Sequence, residues 1–514
     1  MRAFPDYLRC FFLLWRDVRR ASRTSLHESD PSMHTVSSSS LVRPQDGLDL
    51  AQRIRQGELS PGDALDQAIE RLEQVNPALN AVAEKLYHLG EQSVAQGLPE
   101  GPFRGVPMLT KDLFTPLAGA RMSNGSLLLK DNVMPVDAEL VTRLKKAGFT
   151  IFGTTTSPEF GTSYTTESRL FGATRNPWSL EHSCGGSSGA AAALVAARVL
   201  PIAHGNDGGG SLRVPASACG VFGLKPSRGL MPMGPLAGEG WAGMSTSHVM
   251  SLSVRDSAAV LDQLAGADLG APYAAPHYRQ GFLAAATGAA PQGLRIGLVT
   301  HLPPWPTHPD CIEAVQRTAA LCQQLGHHVE ETRLPVDALE FYDTVFTIIG
   351  SQTRNLMNLL ARMAGHPLDE QALEARHRVI LRDKGKLSGA DYAAAVDYLH
   401  AFGRRMAELM QRYDLILTPT MAQPPARIGA LTVREEQSVA ELIQTFHGYS
   451  PFTALCNASG QPAMSVPLHW NDQGLPIGSH FCAGFGDDTL LLAVAAQLEQ
   501  AAPWAHRRPP VCAT

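Results

Sequence analysis

Beyond residue 45 the chain alternates between two hydrophobic periods. Ser60-Pro61 followed by Asp63 has the form of a helix start, an N-cap serine and then proline at the first helical position. Apolar residues recur at helical spacing over 64–75, and Asn76-Pro77 predicts the stop. The apolar run 106–110 predicts a short strand. Residues 138–146, closed by Gly148, predict a helix, and 150–154 a strand. The alanine-rich stretch 190–199 predicts a helix leading into a buried strand at 200–203. Further strands are expected at 295–299, 415–417 and 463–466, with a long helix over 488–499. This alternation predicts an α/β layered architecture. Residues 266–292, rich in Ala, Gly and Pro, read as a loop crossing, and 308–410 as mostly helical. Together 266–410 read as a variable cap or insert within one catalytic domain spanning 46–514.

Composition narrows this picture only a little. The chain has 514 residues, 44% hydrophobic and 18% charged, the balance of a globular protein whose core needs no metal or disulfide staple. A formal net charge of -5 gives no electrostatic reason for a nucleic-acid partner. The eight cysteines form no C-x-x-C pair, so they suit neither a zinc site nor a small secreted framework, and they read as reduced thiols in a cytoplasmic protein. The histidines lack H-E-x-x-H spacing, so no metal site is expected. Near the N-terminus, Phe11-Phe12-Leu13-Leu14-Trp15 is apolar between arginines. It is far shorter than the roughly 20 residues of a membrane span. Residues 1–45 therefore read as a tail, disordered or partly helical. Weak membrane association is left open there, stable insertion is not expected, and Met33 is an alternative start.

Two glycine-serine clusters stand out. One is Gly185-Gly186-Ser187-Ser188-Gly189, and the other is Asp207-Gly208-Gly209-Gly210-Ser211-Leu212-Arg213. Glycine lets a backbone approach a ligand closely, and successive N–H groups before Ser211 have the makings of an anion-binding nest. Such clusters are also common turns, so neither identifies chemistry alone. Neither matches the glycine patterns that cradle nucleotide phosphates. A third feature changes the balance: Lys111 ends the apolar run that begins at Val106, where an unpaired lysine is unusual.

With these three elements in order, the sequence resembles the amidase-signature family from about residue 46 to 505. The resemblance runs through 105–114, Asn176-Pro177-Trp178, 185–192, 206–226, Ser253-Val254-Arg255-Asp256, Leu417-Thr418-Pro419-Thr420, Gly460-Gln461-Pro462-Ala463 and Gly474-Leu475-Pro476-Ile477-Gly478. Ser211 follows Ser187 by 24 positions, the family's interval, and Lys111 precedes Ser187 by 76. The resemblance implies a large mixed β-sheet flanked by helices on both faces. It also implies hydrolysis of a carboxylic amide C–N bond without cofactor or metal, through an acyl-enzyme. In that scheme Ser211 is the nucleophile. Ser187, beside a cis peptide bond, bridges it to Lys111, and neutral Lys111 is the base. Gly208, Gly209 and Gly210 supply the oxyanion hole, while Ser188, Asp207 and Arg213 order the site. The physics agrees: a serine hydroxyl needs a base to become nucleophilic, and desolvation lowers the pKa of a buried lysine. Cys184 and Ala190 depart from the family's usual proline and glycine or serine. Trp241 and Met244 lie in a segment that varies in the family and read as packing residues, with a place in the pocket wall as the alternative.

Within the family, His204-Gly205-Asn206-Asp207 resembles the branch containing 6-aminohexanoate cyclic-dimer hydrolases, the nylon-oligomer amidases. Aryl amides and carbamates stand close behind as substrates. The implied partner is a small-molecule amide, with a homodimer left open. Two alternatives carry less. Gly185-x-Ser187-x-Gly189 satisfies the G-x-S-x-G elbow of an α/β-hydrolase esterase, but the residues before it look strand-poor and Lys111 stays unused. An amidotransferase A subunit usually carries Gln-Pro where this chain has Val214-Pro215.

Overall fold

Two sheets carry the residues singled out above. The computed structural model describes residues 46–514, so the expectations for the N-terminal tail, including its apolar run and Met33, lie outside the described residues. The smaller sheet has three strands, β1 (Val82–Lys85), β2 (Pro107–Lys111) and β3 (Thr150–Thr155), in the order β1-β3-β2. β2 and β3 run parallel, β1 and β3 antiparallel. Two short ribbons follow. One pairs β4 (Glu167–Ser168) with β5 (Gly172–Ala173), the other β6 (Arg175–Asn176) with β7 (Ser179–Ser183).

The larger sheet has eight strands: β8 (Ile202–Asp207), β9 (Phe222–Lys225), β10 (Thr246–Ser251), β11 (Arg295–Leu298), β12 (His328–Glu331), β13 (Leu415–Pro419), β14 (Ala463–Trp470) and β15 (Pro476–Ala483). Their order is β12-β11-β13-β15-β14-β9-β10-β8. It is mixed: β11 pairs in parallel with β12 and β13, and every other neighbour is antiparallel. β15 shows why both faces are covered. Its alternate side chains point to opposite sides. Ser479 bonds Thr318 on the helix Pro309–Gln324, and Phe481 joins the core built with the helix Asp488–Ala501. On the other side His480 meets Arg213, and Cys482 joins a core shared with the helices Thr453–Ser459 and Ala338–Ala364.

Local rules hold at the start of the first long helix and fail at its end. Ser60 and Asp63 form a reciprocal capping box, with Pro61 in the first turn. The helix then runs through Pro77 to Leu79, past the expected stop. A proline in the last turn removes only one backbone bond, and burial of Val75 and Leu79 holds that turn in place. The loop crossing at 266–292 also contains a short helix, Phe282–Thr287, packed against the large-sheet core. The segment before Gly185 forms β7, so its strand-poor reading is corrected: cross-strand bonding to β6 overrides its polar composition.

The helix Gly189–Ala196 is buried on every side. A helix that is apolar all round belongs inside, and its alanines let β2 and β8 come close, so that the Lys111 N–H donates to His204 Nδ1 at 3.2 Å. β8 extends beyond its expected end at 203 to Asp207, which places Asn206 and Asp207 on a strand rather than in a loop. The exposed capping box offers a check on the local account. Ser60→Ala should lower the unfolding free energy by about 1 kcal/mol in denaturant titration and leave activity unchanged.

Candidate active site

Lys111 ends β2 with its side chain fully enclosed at 1% exposure. Three oxygens surround its Nζ: Ser187 Oγ at 2.7 Å, Ser188 Oγ at 2.9 Å and Asn206 Oδ1 at 2.7 Å. Two of these must accept. Asn206 Nδ2 donates to the Leu113 carbonyl at 2.8 Å, which turns Oδ1 towards the lysine. Ser188 Oγ donates to the Asn206 carbonyl at 3.0 Å, so its lone pairs face Nζ. Burial drives the Lys111 amine well below the usual lysine range, against a smaller opposing pull from Asp207. A neutral amine has two N–H groups, for Asn206 and Ser188, and a lone pair left for Ser187.

Ser187 follows a cis Gly186–Ser187 peptide in the turn before the helix Gly189–Ala196. The glycines around it allow close approach. A Cβ on Gly186 would lie 2.6 Å from the backbone of Thr165, and one on Gly161 would lie 3.3 Å from Ser187 Oγ. Ser211 lies between the end of β8 and the helix Arg213–Cys219. The two serine loops are stitched together, since the Ser188 N–H donates to the Ser211 carbonyl at 3.3 Å.

Asp207 and Arg213 frame the Ser211 loop. Asp207 accepts from the N–H groups of Gly210 at 2.6 Å and Leu212 at 3.0 Å, and from Arg213 Nε and Nη2, both at 3.0 Å. The remaining Arg213 donors reach the Thr453 carbonyl at 2.8 Å, His480 Nε2 at 2.9 Å and Asn457 Oδ1 at 2.6 Å. Burial pushes the Asp207 carboxyl up, but Arg213 and the hydrogen bonds outweigh it and hold the group well below the usual carboxylate range. These contacts correct one expectation. The Gly210 N–H is bonded to Asp207, because φ of +136° at Gly210 turns it inward. Among the described residues, the N–H groups of Gly208, Gly209 and Ser211 have no internal acceptor.

A cavity of about 520 Å³, its open mouth included, adjoins Ser211, Gly208 and Gly209. Trp241 and Met244 line it, where packing was the favoured reading of both, together with aromatic residues of the helices Ala338–Ala364 and Val439–Tyr449. Sequence reasoning missed several supports. Asn206 was visible only as a branch marker. Thr453 and Asn457, 240 and 244 residues from Arg213, carry no local signal, although Thr453 Oγ1 grips the Gly209 carbonyl at 2.7 Å. Tyr164 donates to the same carbonyl at 3.2 Å.

Comparison with known proteins places the chain among amidases. The Amidase family model matches residues 63–492. The 6-aminohexanoate-cyclic-dimer hydrolase of Pseudomonas sp. (strain NK87) is 37% identical over 483 residues, covering 90% of this chain and 96% of its own. A solved 6-aminohexanoate cyclic dimer hydrolase superposes with a TM-score of 0.86 at 34% identity, over 92% of this chain and 100% of its own. A bacterial aryl acylamidase of the amidase signature family superposes with a TM-score of 0.82 at 29% identity, over 90% and 97%.

Removing one member of the Asp207–Arg213 pair strands the other in a dry site. Arg213→Met should cost about 3–5 kcal/mol of unfolding free energy in urea titration. A cost below about 1 kcal/mol, the range of surface pairs, would contradict this account.

Proposed function

The chain belongs to the amidase signature family of hydrolases acting on C–N bonds, and on that premise we propose that it cleaves carboxylic amides through Ser211, Ser187 and Lys111. One observation carries the reading. The fully buried Lys111 amine lies 2.7 Å from Ser187 Oγ, in a turn stitched to the loop of Ser211. Ser211 Oγ attacks the carbonyl carbon and passes its proton to Ser187, whose own proton goes to the Lys111 lone pair. The protonated amine then has three N–H groups for the same three oxygens, so the relay needs no rearrangement. The developing oxyanion takes the N–H groups of Gly208, Gly209 and Ser211, each worth about 2.7–4 kcal/mol of barrier. Gly210 is not a donor in this scheme; it shapes the loop. Reversal of the relay protonates the leaving nitrogen, and water hydrolyses the acyl-enzyme. Asp207 and Arg213 position the loop, and Ser188 and Asn206 orient the lysine.

The substrates to try first are a 6-aminohexanoate cyclic dimer, an aryl amide and a carbamate. The first two are supported by the names of the relatives and the third by the sequence reading alone. A fluorophosphonate should modify Ser211, as peptide mass spectrometry would read; modification of Ser187 instead would favour the esterase elbow. Ser211→Ala and Lys111→Ala should each abolish turnover almost completely. The double variant should be little worse than either, since relay members act as a unit.

The pH profile follows from the sign of the Lys111 shift. The reactive amine is uncharged, and burial lowers its pKa, so its competent fraction grows as pH rises through that lowered value. Asp207 stays ionised throughout, because its carboxyl is held low. The ratio kcat/KM should therefore climb from acidic to mildly alkaline pH. A fall between pH 6 and 8 with the fold intact, judged by circular dichroism, would refute a neutral-lysine base.

A further inference from the structure

The charged groups near this site lie behind its walls, at the Ser211 loop and behind Thr162, and none lines the cavity itself. Its roof is one face of the helix Ala338–Ala364, from which Val345, Phe346 and Ile349 line the space; Trp241, Met244 and Phe446 complete an apolar wall. No Asp, Glu, Lys or Arg lines it.

The hydroxyls of Thr162, Ser163 and Tyr164 at its edge are already bonded within the protein. The Tyr164 hydroxyl donates to the Gly209 carbonyl at 3.2 Å. Ser163 Oγ is bonded to Thr165 Oγ1 at 3.2 Å. Thr162 Oγ1 is bonded to His377 Nε2 at 2.7 Å and accepts from Arg376 Nε at 3.0 Å. Behind Thr162, the Glu159 carboxylate is enclosed by His377 Nδ1 at 2.6 Å, Ser126 Oγ at 2.7 Å and the Glu374 N–H at 2.9 Å. His447 stacks on Tyr342, ring centroids 3.4 Å apart. Burial lowers His447 to about 3 and pushes the Tyr164 phenol up, so both are uncharged near neutral pH.

A charged group entering this cavity would give up its water and meet no counter-ion. Resting on the amide-hydrolase reading above, we propose that the portion of the substrate seated in this cavity is uncharged and apolar, aliphatic or aromatic, and that amides bearing a fixed charge there are rejected. Selection then comes from the roof helix, outside the glycine-serine loops.

The test compares the 4-nitroanilides of hexanoic, 6-aminohexanoic and adipic acids, which keep one leaving group and differ at the far end of the chain. A mirrored set of hexanamides carries the ammonium or carboxylate on the amine side. For each compound, kcat/KM is measured alongside its protection of Ser211 from fluorophosphonate. In at least one set the charged members should fall below the neutral one on the order of 100-fold in both readouts, as burial of an unpaired charge demands. Ile349→Glu and, separately, Val345→Glu should narrow that gap for the ammonium compound and widen it for the carboxylate. Charged members that equal the neutral one in both sets would overturn the proposal. If neutral compounds protect Ser211 best yet none is cleaved, the amide-hydrolase reading fails while the pocket proposal stands.

Discussion

The constraint on which the site rests is the burial of one amine. Lys111 ends β2, whose five residues are all enclosed, and no carboxylate lies within hydrogen-bonding reach of its Nζ. Leaving a charged ammonium there would cost several kcal/mol, so the enclosure favours the neutral form and lowers the pKa of the amine. Everything nearby serves to make that enclosure possible without starving the amine of partners. The all-alanine turns of the helix Gly189–Ala196 let β2 approach β8. β8 brings Asn206, and the turn before the helix brings Ser187 and Ser188, so three oxygens from two segments meet one nitrogen.

The Asp207–Arg213 pair is the electrostatic counterpart. Both side chains are fully enclosed, and such a pair is favourable only when its remaining hydrogen-bonding capacity is filled. Here it is filled: five N–H donors of the guanidinium meet five acceptors, and the carboxylate takes two backbone N–H groups besides. Its partners come from β15 and the helix Thr453–Ser459 as well as from the loop. A turn rich in glycine, which would otherwise sample many conformations, is thus anchored to β15, an interior strand of the large sheet. His480 follows from the same logic. Its Nε2 accepts from Arg213, so its proton sits on Nδ1, facing Thr418 Oγ1 at 3.1 Å.

What could be read from the chain was whatever a local pattern records. A lysine closing an apolar run and glycines flanking serines are local, and the structure brings Lys111, Ser187, Ser188, Asp207 and Arg213 into one connected region. The α/β layering was equally accessible, because strands and helices differ in hydrophobic period. Contacts made across hundreds of residues were not. Asn457 and Thr453 sit in a short helix with no motif, and their role exists only once β14 and β15 have placed that helix beside Arg213. Local rules also misled where tertiary burial outweighed them. Pro77 is a helix breaker by itself, yet Leu79 beyond it is completely buried and keeps the turn wound. The family resemblance implied Gly210 as an oxyanion donor, whereas its N–H is bonded to Asp207.

The separation of charge from cavity links these observations. The Lys111 and Asp207 networks are built of fixed polar atoms, which the glycine loops and sheet ends supply. The cavity takes its roof from the helix Ala338–Ala364, which carries none of the groups in those networks. The two parts touch at the Ser211 loop, where Tyr164 of the cavity wall and the buried Thr453 both hold the Gly209 carbonyl. That carbonyl is the hinge of the arrangement: holding it fixes the neighbouring N–H groups, and one of the residues holding it, Tyr164, belongs to the pocket wall. A substitution in the roof can therefore change which amides fit while the Lys111 network stays as it is. A substitution at Tyr164 would disturb both, since its side chain shapes the wall and steadies the loop.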